Sequence, residues 1–220
     1  EENDVGTDVT SDSNGNVYVS GWSYASWGSP IREFSPGTAT IGGPADDGFL
    51  AKLNPSGELQ WNTFLGGSDA DGVSAVEVDS AGNLYLSGLS YASWGSPVEP
   101  HQGSFNAFAA KLNNSGILVW NSFLGQMSDG NDLHLTASDE IILGGYSYHS
   151  WGSPVSDHSS GQNADAFLSK ISSETGTTIW HTYLGNENYE YIFSIESDDL
   201  GNIYFGGHSD ALWGSPVRDY

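Results

Sequence analysis

The tetrapeptide Trp-Gly-Ser-Pro occurs four times, beginning at Trp27, Trp94, Trp151 and Trp213, at intervals of 67, 57 and 62 residues. A second signature recurs beside it: a turn, then Trp, then an aromatic-Leu-Gly. It reads Asn54-Pro55-Ser56-Gly57 before Trp61 and Phe64-Leu65-Gly66, and Asn113-Asn114-Ser115-Gly116 before Trp120 and Phe123-Leu124-Gly125. Its third copy is Ser173-Glu174-Thr175-Gly176 before Trp180 and Tyr183-Leu184-Gly185. Two independent markers at a shared period of about 60 residues mean one structural unit used repeatedly.

Each unit reads as β throughout. Val17-Tyr18-Val19, Leu84-Tyr85-Leu86, Ile141-Ile142-Leu143 and Ile203-Tyr204-Phe205 are short, nearly unbroken apolar runs, the pattern of strands covered on both faces. Turns rich in Asp, Asn and Gly precede them, such as Asp12-Ser13-Asn14-Gly15-Asn16 and Asp79-Ser80-Ala81-Gly82-Asn83. A second strand pair follows, Phe49–Leu53 with Leu59–Leu65, with equivalents from Phe108 and Phe167. No segment carries a 3.6-residue apolar period. Four antiparallel strands per unit, here a to d, make the blade of a β-propeller. A pair of β-sandwiches is the competitor, but sandwiches do not require one loop sequence four times.

The same residues carry a family resemblance. The run D-S-x-G-N-x-Y followed by Gly, then A-F-x-x-K-L-N-x-S-G-x-x-x-W and F-L-G-G, resembles the bacterial beta-propeller repeat family SBBP. More distantly, the D-x-x-G-N-x-Y hairpin is similar to NHL-type propellers. The resemblance implies a propeller and says almost nothing of activity. Trp-Gly-Ser-Pro is not a general mark of that family and is this chain's own feature.

The expected architecture is thus an all-β propeller of four-stranded antiparallel blades in a single domain over residues 1–220. Its units run at about 4–67, 68–126, 127–186 and a partial 187–220. The a–b pair occurs four times and the c–d pair three times, giving about three and a half blades, an odd number of half-blades that cannot close a ring while preserving alternation. The expectation is that another chain completes the fourth blade or that the natural sequence continues beyond these ends.

Composition limits the function classes. Against 28 Asp and Glu stand five Lys and Arg, a formal charge of −23. Such a chain repels nucleic acid and anionic lipid. No apolar run approaches the ~20 residues of a membrane helix, so membrane insertion is not expected. There is no cysteine, hence no disulfide and no thiolate metal site. Low Lys content with Ser-, Thr-, Asn- and Gly-rich loops points to an extracellular or cell-surface setting.

Alternation of strand direction puts the b–c loops bearing Trp-Gly-Ser-Pro on the same rim as the acidic d–a loops. These acidic loops contain Asp69 and Asp71, Asp129 and Asp132, and Glu187 and Glu190. Tyr24, Tyr91 and Tyr148 precede three of the four tryptophans. Aromatic faces beside carboxylates and amides are what a pyranose needs. The candidate ligand residues are therefore Trp27, Trp94, Trp151, Trp213, Tyr24, Tyr91 and Tyr148. The alternative role for the tryptophans is to fold over the blade and anchor their loops. Trp61, Trp120 and Trp180 lie inside strands and read as core.

No cofactor is required, but Asp69, Asp71, Asp129 and Asp132 are candidate Ca²⁺ ligands. The EF-hand-like start at Asp12, Asn14 and Asn16 lacks a Glu at the twelfth position and reads instead as a hairpin turn. Lys52, Lys111 and Lys170 share one repeat position, five residues after Asp47, Asn106 and Asp165. A lysine repeated with the unit implies a structural bridge to a carboxylate or carbonyl. No nucleophile–base pair or phosphate-binding loop is present, so binding is favoured over catalysis, with a glycan-acting hydrolase or lyase the minor alternative. Two partners fit: a glycan held by repeated rim sites, or further copies of the chain in a homo-oligomer, filament, surface layer or adhesin.

Overall fold

A computed structural model describes residues 3–39, 45–159, 161–215 and 217. Blade 1 consists of β1 (Asp4–Ser11), β2 (Val17–Ser23), β3 (Asp47–Leu53) and β4 (Leu59–Leu65). Blade 2 consists of β5 (Asp71–Val78), β6 (Leu84–Ser90), β7 (Asn106–Leu112) and β8 (Leu118–Leu124). Blade 3 consists of β9 (Ser128–Leu135), β10 (Ile141–Ser147), β11 (Asp165–Ile171) and β12 (Thr178–Leu184). The remaining pair is β13 (Glu190–Ser197) and β14 (Ile203–Ser209). Each blade is an antiparallel meander in chain order, and among the described residues the fourth has two strands rather than four. The all-β propeller expectation, with its half blade, is what the chain shows.

First strands pack on first strands: β1 meets β5, β5 meets β9, and β9 meets β13. They are therefore innermost, and β4, β8 and β12 are outermost. Burial lies between blades. Tyr18, Leu50 and Leu65 of blade 1 interlock with Val73, Leu84, Leu86 and Phe108 of blade 2. Ala75, Tyr85 and Leu124 pack with Leu133, Ile141 and Phe167 of blade 3. Ile142 and Leu168 meet Ile192 and Ile195 of β13. A blade buried on both sides needs strands apolar on both faces, which explains the unbroken apolar runs.

The inner strands share one irregularity. Pairing with the second strand slips at Gly6/Asp8, Val73/Ala75, Gly144/Gly145 and Ile192/Ser194. The extra residues are Thr7, Ser74, Asn131 and Phe193, a β-bulge at one repeat position. Opposite each bulge stands a glycine. A Cβ on Gly21, Gly88, Gly145 or Gly207 would lie within 2.0 Å of the backbone oxygen facing it, so only glycine fits. Two bulge side chains tie blades together: Thr7 Oγ1 donates to the Val73 carbonyl at 2.7 Å and Asn131 Nδ2 to that of Ile192 at 2.7 Å.

The a–b turn is closed by its aspartate. Asp12 Oδ1 accepts the backbone N–H of Asn14 and Asn16, and Oδ2 accepts Asn16 Nδ2 and the Tyr18 hydroxyl. Asp79 and Asp198 do the same with Asn83 and Tyr85, and with Asn202 and Tyr204. Burial raises the Asp12 pKa, yet the donors together outweigh it and leave the carboxylate below its ordinary value. The turn's own donors occupy both oxygens and close the segment as a hairpin.

The repeated lysines are structural. Lys52 and Lys111 place their ammonium groups 5.2 and 5.0 Å from the ring centroids of Tyr18 and Tyr85. Lys111 Nζ also donates to the Ser173 carbonyl in the c–d turn of blade 3, at 3.1 Å, so one of the three forms the expected bridge between blades.

Candidate functional site

Trp-Gly-Ser-Pro builds a cover for the outer edge of its own blade. The carbonyls of Trp27 and Trp94 accept hydrogen bonds from Asn62 and Asn121 Nδ2, at 2.8 and 2.9 Å. His181 Nε2 lies 2.9 Å from the Trp151 carbonyl at the same position in blade 3. These three residues stand on β4, β8 and β12, the outermost strands. The next glycine turns the chain at φ 69°, 67° and 53° (Gly28, Gly95 and Gly152), and a Cβ at Gly28 or Gly95 would also strike the asparagine side chain at 2.7 or 2.6 Å. The chain then runs along the open edge. Ile31, Val98 and Val155 donate their N–H groups to the carbonyls of Asn62, Asn121 and His181, each at 2.8 Å. Phe64, Phe123 and Tyr183 return N–H groups to the carbonyls of Arg32, Glu99 and Ser156. An edge strand that would otherwise template another chain is thereby occupied.

The indoles pin this cover down. Trp27 packs edge-to-face with Phe49 and Phe64, and Trp94 with Phe108 and Phe123, at centroid distances of 5.2 to 5.9 Å. Trp94 is 4% exposed and donates Nε1–H to Ser90 Oγ at 3.2 Å. Trp151 stacks on His181 at 4.6 Å and meets Phe167 and Tyr183 edge-to-face. All three indoles anchor their loops on strand side chains, one of the two roles open in the sequence; Trp94 is buried by this, whereas Trp27 and Trp151 stay half-buried. Trp213 is half-buried beside Ile192 and Phe205, in the blade whose described part has no third or fourth strand.

The rim shared by the b–c and d–a loops holds a different concavity. Backbone bonds join the loops there: Asp71 N–H to the Asp46 carbonyl, Tyr91 N–H to that of Ala70, and Tyr148 N–H to that of Met127. Between blades 1 and 2 these loops leave a cavity of about 360 Å³. Trp22, Tyr24 and Tyr91 supply aromatic surface, and Asp46, Asp71 and Asp129 supply carboxyl groups, Asp129 entering from blade 3. All three aromatic rings are only half-buried.

The carboxyls differ in state. Asp71 is 2% exposed; it accepts Gly67 N–H on Oδ2 and is bonded to Ser90 Oγ through Oδ1. Burial pushes its pKa up to about 8, against the lowering effect of Ser90 and Gly67. The Ser90 hydroxyl has one proton and also contacts the Ala92 carbonyl at 2.7 Å, so a neutral Asp71 donating to Ser90 satisfies every group. Asp129 is pushed up to about 6 by burial, while Gly130 N–H and the Tyr146 hydroxyl favour its charged form. Its Oδ1 is sealed from solvent with no hydrogen-bond partner. Burial first, then the charges of Asp129, Asp69 and Asp46, raise the Tyr91 hydroxyl.

The structure therefore brings together Tyr24, Tyr91, Asp71 and Asp129 of the sequence candidates. Tyr148 lies outside the cavity, edge-on to Tyr146 at 5.9 Å. Of the four proposed Ca²⁺ ligands, Asp71 and Asp129 line the cavity, while Asp69 and Asp132 are not among its described lining residues. Asp132 spends both oxygens on backbone N–H groups, Leu133 on its own strand and Ile195 on β13, clamping blade 3 to the half blade. Asp69 Oδ1 accepts the Ala70 N–H, and Asp71 is tied to Ser90. Among the described residues no three His, Asp or Glu side chains gather to hold a metal. Sequence reasoning missed Trp22 and Asp46. Trp22 shares a repeat position with Leu89, Tyr146 and His208, and that divergence within an otherwise repeated motif was the available signal.

Residues 1–26, which span β1, β2 and the approach to the first Trp-Gly-Ser-Pro, match the beta-propeller repeat family SBBP. No curated protein matches this sequence.

Proposed function

We propose that this chain is a non-enzymatic binding module of a secreted or cell-surface protein, and that it recognises a glycan in the rim cavity between blades 1 and 2. The observation that carries the reading is the pairing of half-buried aromatic surface (Trp22, Tyr24, Tyr91) with carboxyl groups in one concavity of about 360 Å³. That volume suits one or two sugar rings, with indole and phenol faces against C–H surfaces and carboxylates toward hydroxyls. No histidine, lysine or cysteine is among the described lining residues, and the Thr7 hydroxyl is committed to the Val73 carbonyl.

A glycan array followed by calorimetry tests this. Wild type is expected to bind a subset of sugars, and Tyr91→Ala combined with Trp22→Ala is expected to weaken binding at least about tenfold. An array on which wild type binds nothing overturns the reading.

A second reading, assembly with another chain, is favoured by one observation. The outer edges of blades 1 to 3 are covered by their own loops, whereas among the described residues β14 pairs only with β13, and it exposes Tyr204 at 58% and Phe205 at 39%. Assembly would then run through that half blade and not through blade edges at large.

A further inference from the structure

The rim cavity is more selective than a generic sugar site, because its charge is one-sided. Asp46, Asp71 and Asp129 line it, and no lysine or arginine is among the described lining residues. Three of the chain's five cations are engaged elsewhere: Arg32 donates to the Phe64 and Gly66 carbonyls, and Lys52 and Lys111 sit over Tyr18 and Tyr85. Asp129 Oδ1 is shut away from solvent without a donor. The Asp129 side chain is nevertheless part of the cavity wall, so its carboxyl group stands at the cavity with fewer donors than it can accept. Tyr91 stands amid the charges of Asp129, Asp69 and Asp46, which makes its ring face a favourable seat for a cation.

We propose that the cavity takes a hexosamine whose amino group is free and cationic, with the ammonium directed to Asp46 and Asp129 and the ring lying against Trp22, Tyr24 and Tyr91. The inference rests on the glycan reading above and narrows it. An ammonium brings three donors and a full charge to the two carboxylates. An N-acetylated sugar brings one amide N–H, no charge and a methyl group. Asp71, neutral and bound to Ser90, shapes the floor without adding charge.

The test compares a β-1,4-linked glucosamine tetramer, its N-acetylated counterpart and spermine, titrated into the whole chain at about 150 mM salt, where long-range attraction to the acidic surface is screened. The glucosamine tetramer is expected to bind at least about tenfold tighter than either of the others. Asp129→Asn, which retains the shape and an acceptor for Tyr146, is expected to erase that preference, and so is Asp46→Asn. The exposed Asp157→Asn removes the same charge elsewhere and is expected to leave it intact. Equal binding of the two tetramers overturns the inference while the glycan reading stands. Spermine binding as tightly as the glucosamine tetramer, or Asp157→Asn weakening binding as much as Asp129→Asn, overturns it in favour of bulk charge attraction. If no tetramer binds, the inference falls, and the glycan array alone decides whether the broader reading stands.

Discussion

Asp71 shows how one residue sets a property of the whole chain. Its pKa is raised from 3.8 to about 8, chiefly by burial. In the unfolded chain it loses its proton near pH 4, whereas in the fold it keeps the proton to about pH 8. Over that window the native state binds more protons, so stability falls as pH rises. Asp47 and Asp129, each raised to about 6 mainly by burial, add in the same direction up to that pH. Asp12, Asp79 and Asp198 oppose them only at lower pH, since their lowered pKa values withdraw stability as the solution becomes strongly acidic. Urea unfolding is therefore expected to show maximal stability in mild acid. The loss attributable to Asp71 between pH 5 and pH 8 is up to about 4 kcal/mol. Asp71→Asn, which mimics the neutral acid toward Gly67 and Ser90, is expected to flatten that slope. An unchanged slope would show that another group controls it.

At the scale of elements, the Trp-Gly-Ser-Pro segment acts as a fifth layer of hydrogen bonding on each of blades 1 to 3. Native-state hydrogen exchange can see this directly. The amides of Ile31, Val98 and Val155 lie outside the strands but donate to strand carbonyls. They are expected to exchange about as slowly as amides within β4, β8 and β12, and Val98→Pro, which deletes one such donor, is expected to speed exchange along β8. Fast exchange at all three positions would mean the cover is not held. The turn at Asp12, the lysine bridge from Lys111 and the core roles of Trp61 and Trp120 were all legible from spacing, because each depends on neighbours fixed by the repeat. The edge-covering role of Trp27, Trp94 and Trp151 was one of two readings that the spacing left open. It depends on partners such as Asn62 and Phe64 some 35 residues along the chain, and two uses of the same indole leave one sequence pattern.

For the whole molecule, the blades form a row in which each interface is a separate core, so stability is passed from neighbour to neighbour. The two ends of the row are unlike its middle. Val5 and Val9 on β1 are 36% and 60% exposed, and Phe193 and Tyr204 on the half blade 59% and 58%. Sedimentation of the purified chain is expected to show concentration-dependent self-association. Tyr204→Lys is expected to reduce it by placing charge on the open β14 edge. Monodisperse monomer at millimolar concentration would rule out this route to assembly.

The repeat by itself determined the β class, the blade, the number of half-blades and the rim on which loops of two kinds meet. It did so because strand periodicity and turn chemistry are local, and because four copies average out accident. Only the tertiary structure decided which rim residues line the cavity. Residues that every copy retains are the ones that hold every blade together, and Trp-Gly-Ser-Pro proves to be one of these. The cavity instead lies where the copies differ, at Trp22 against Leu89 and at Asp129 against Gly72. Its walls come from three blades, and no periodicity within one blade encodes a meeting of three.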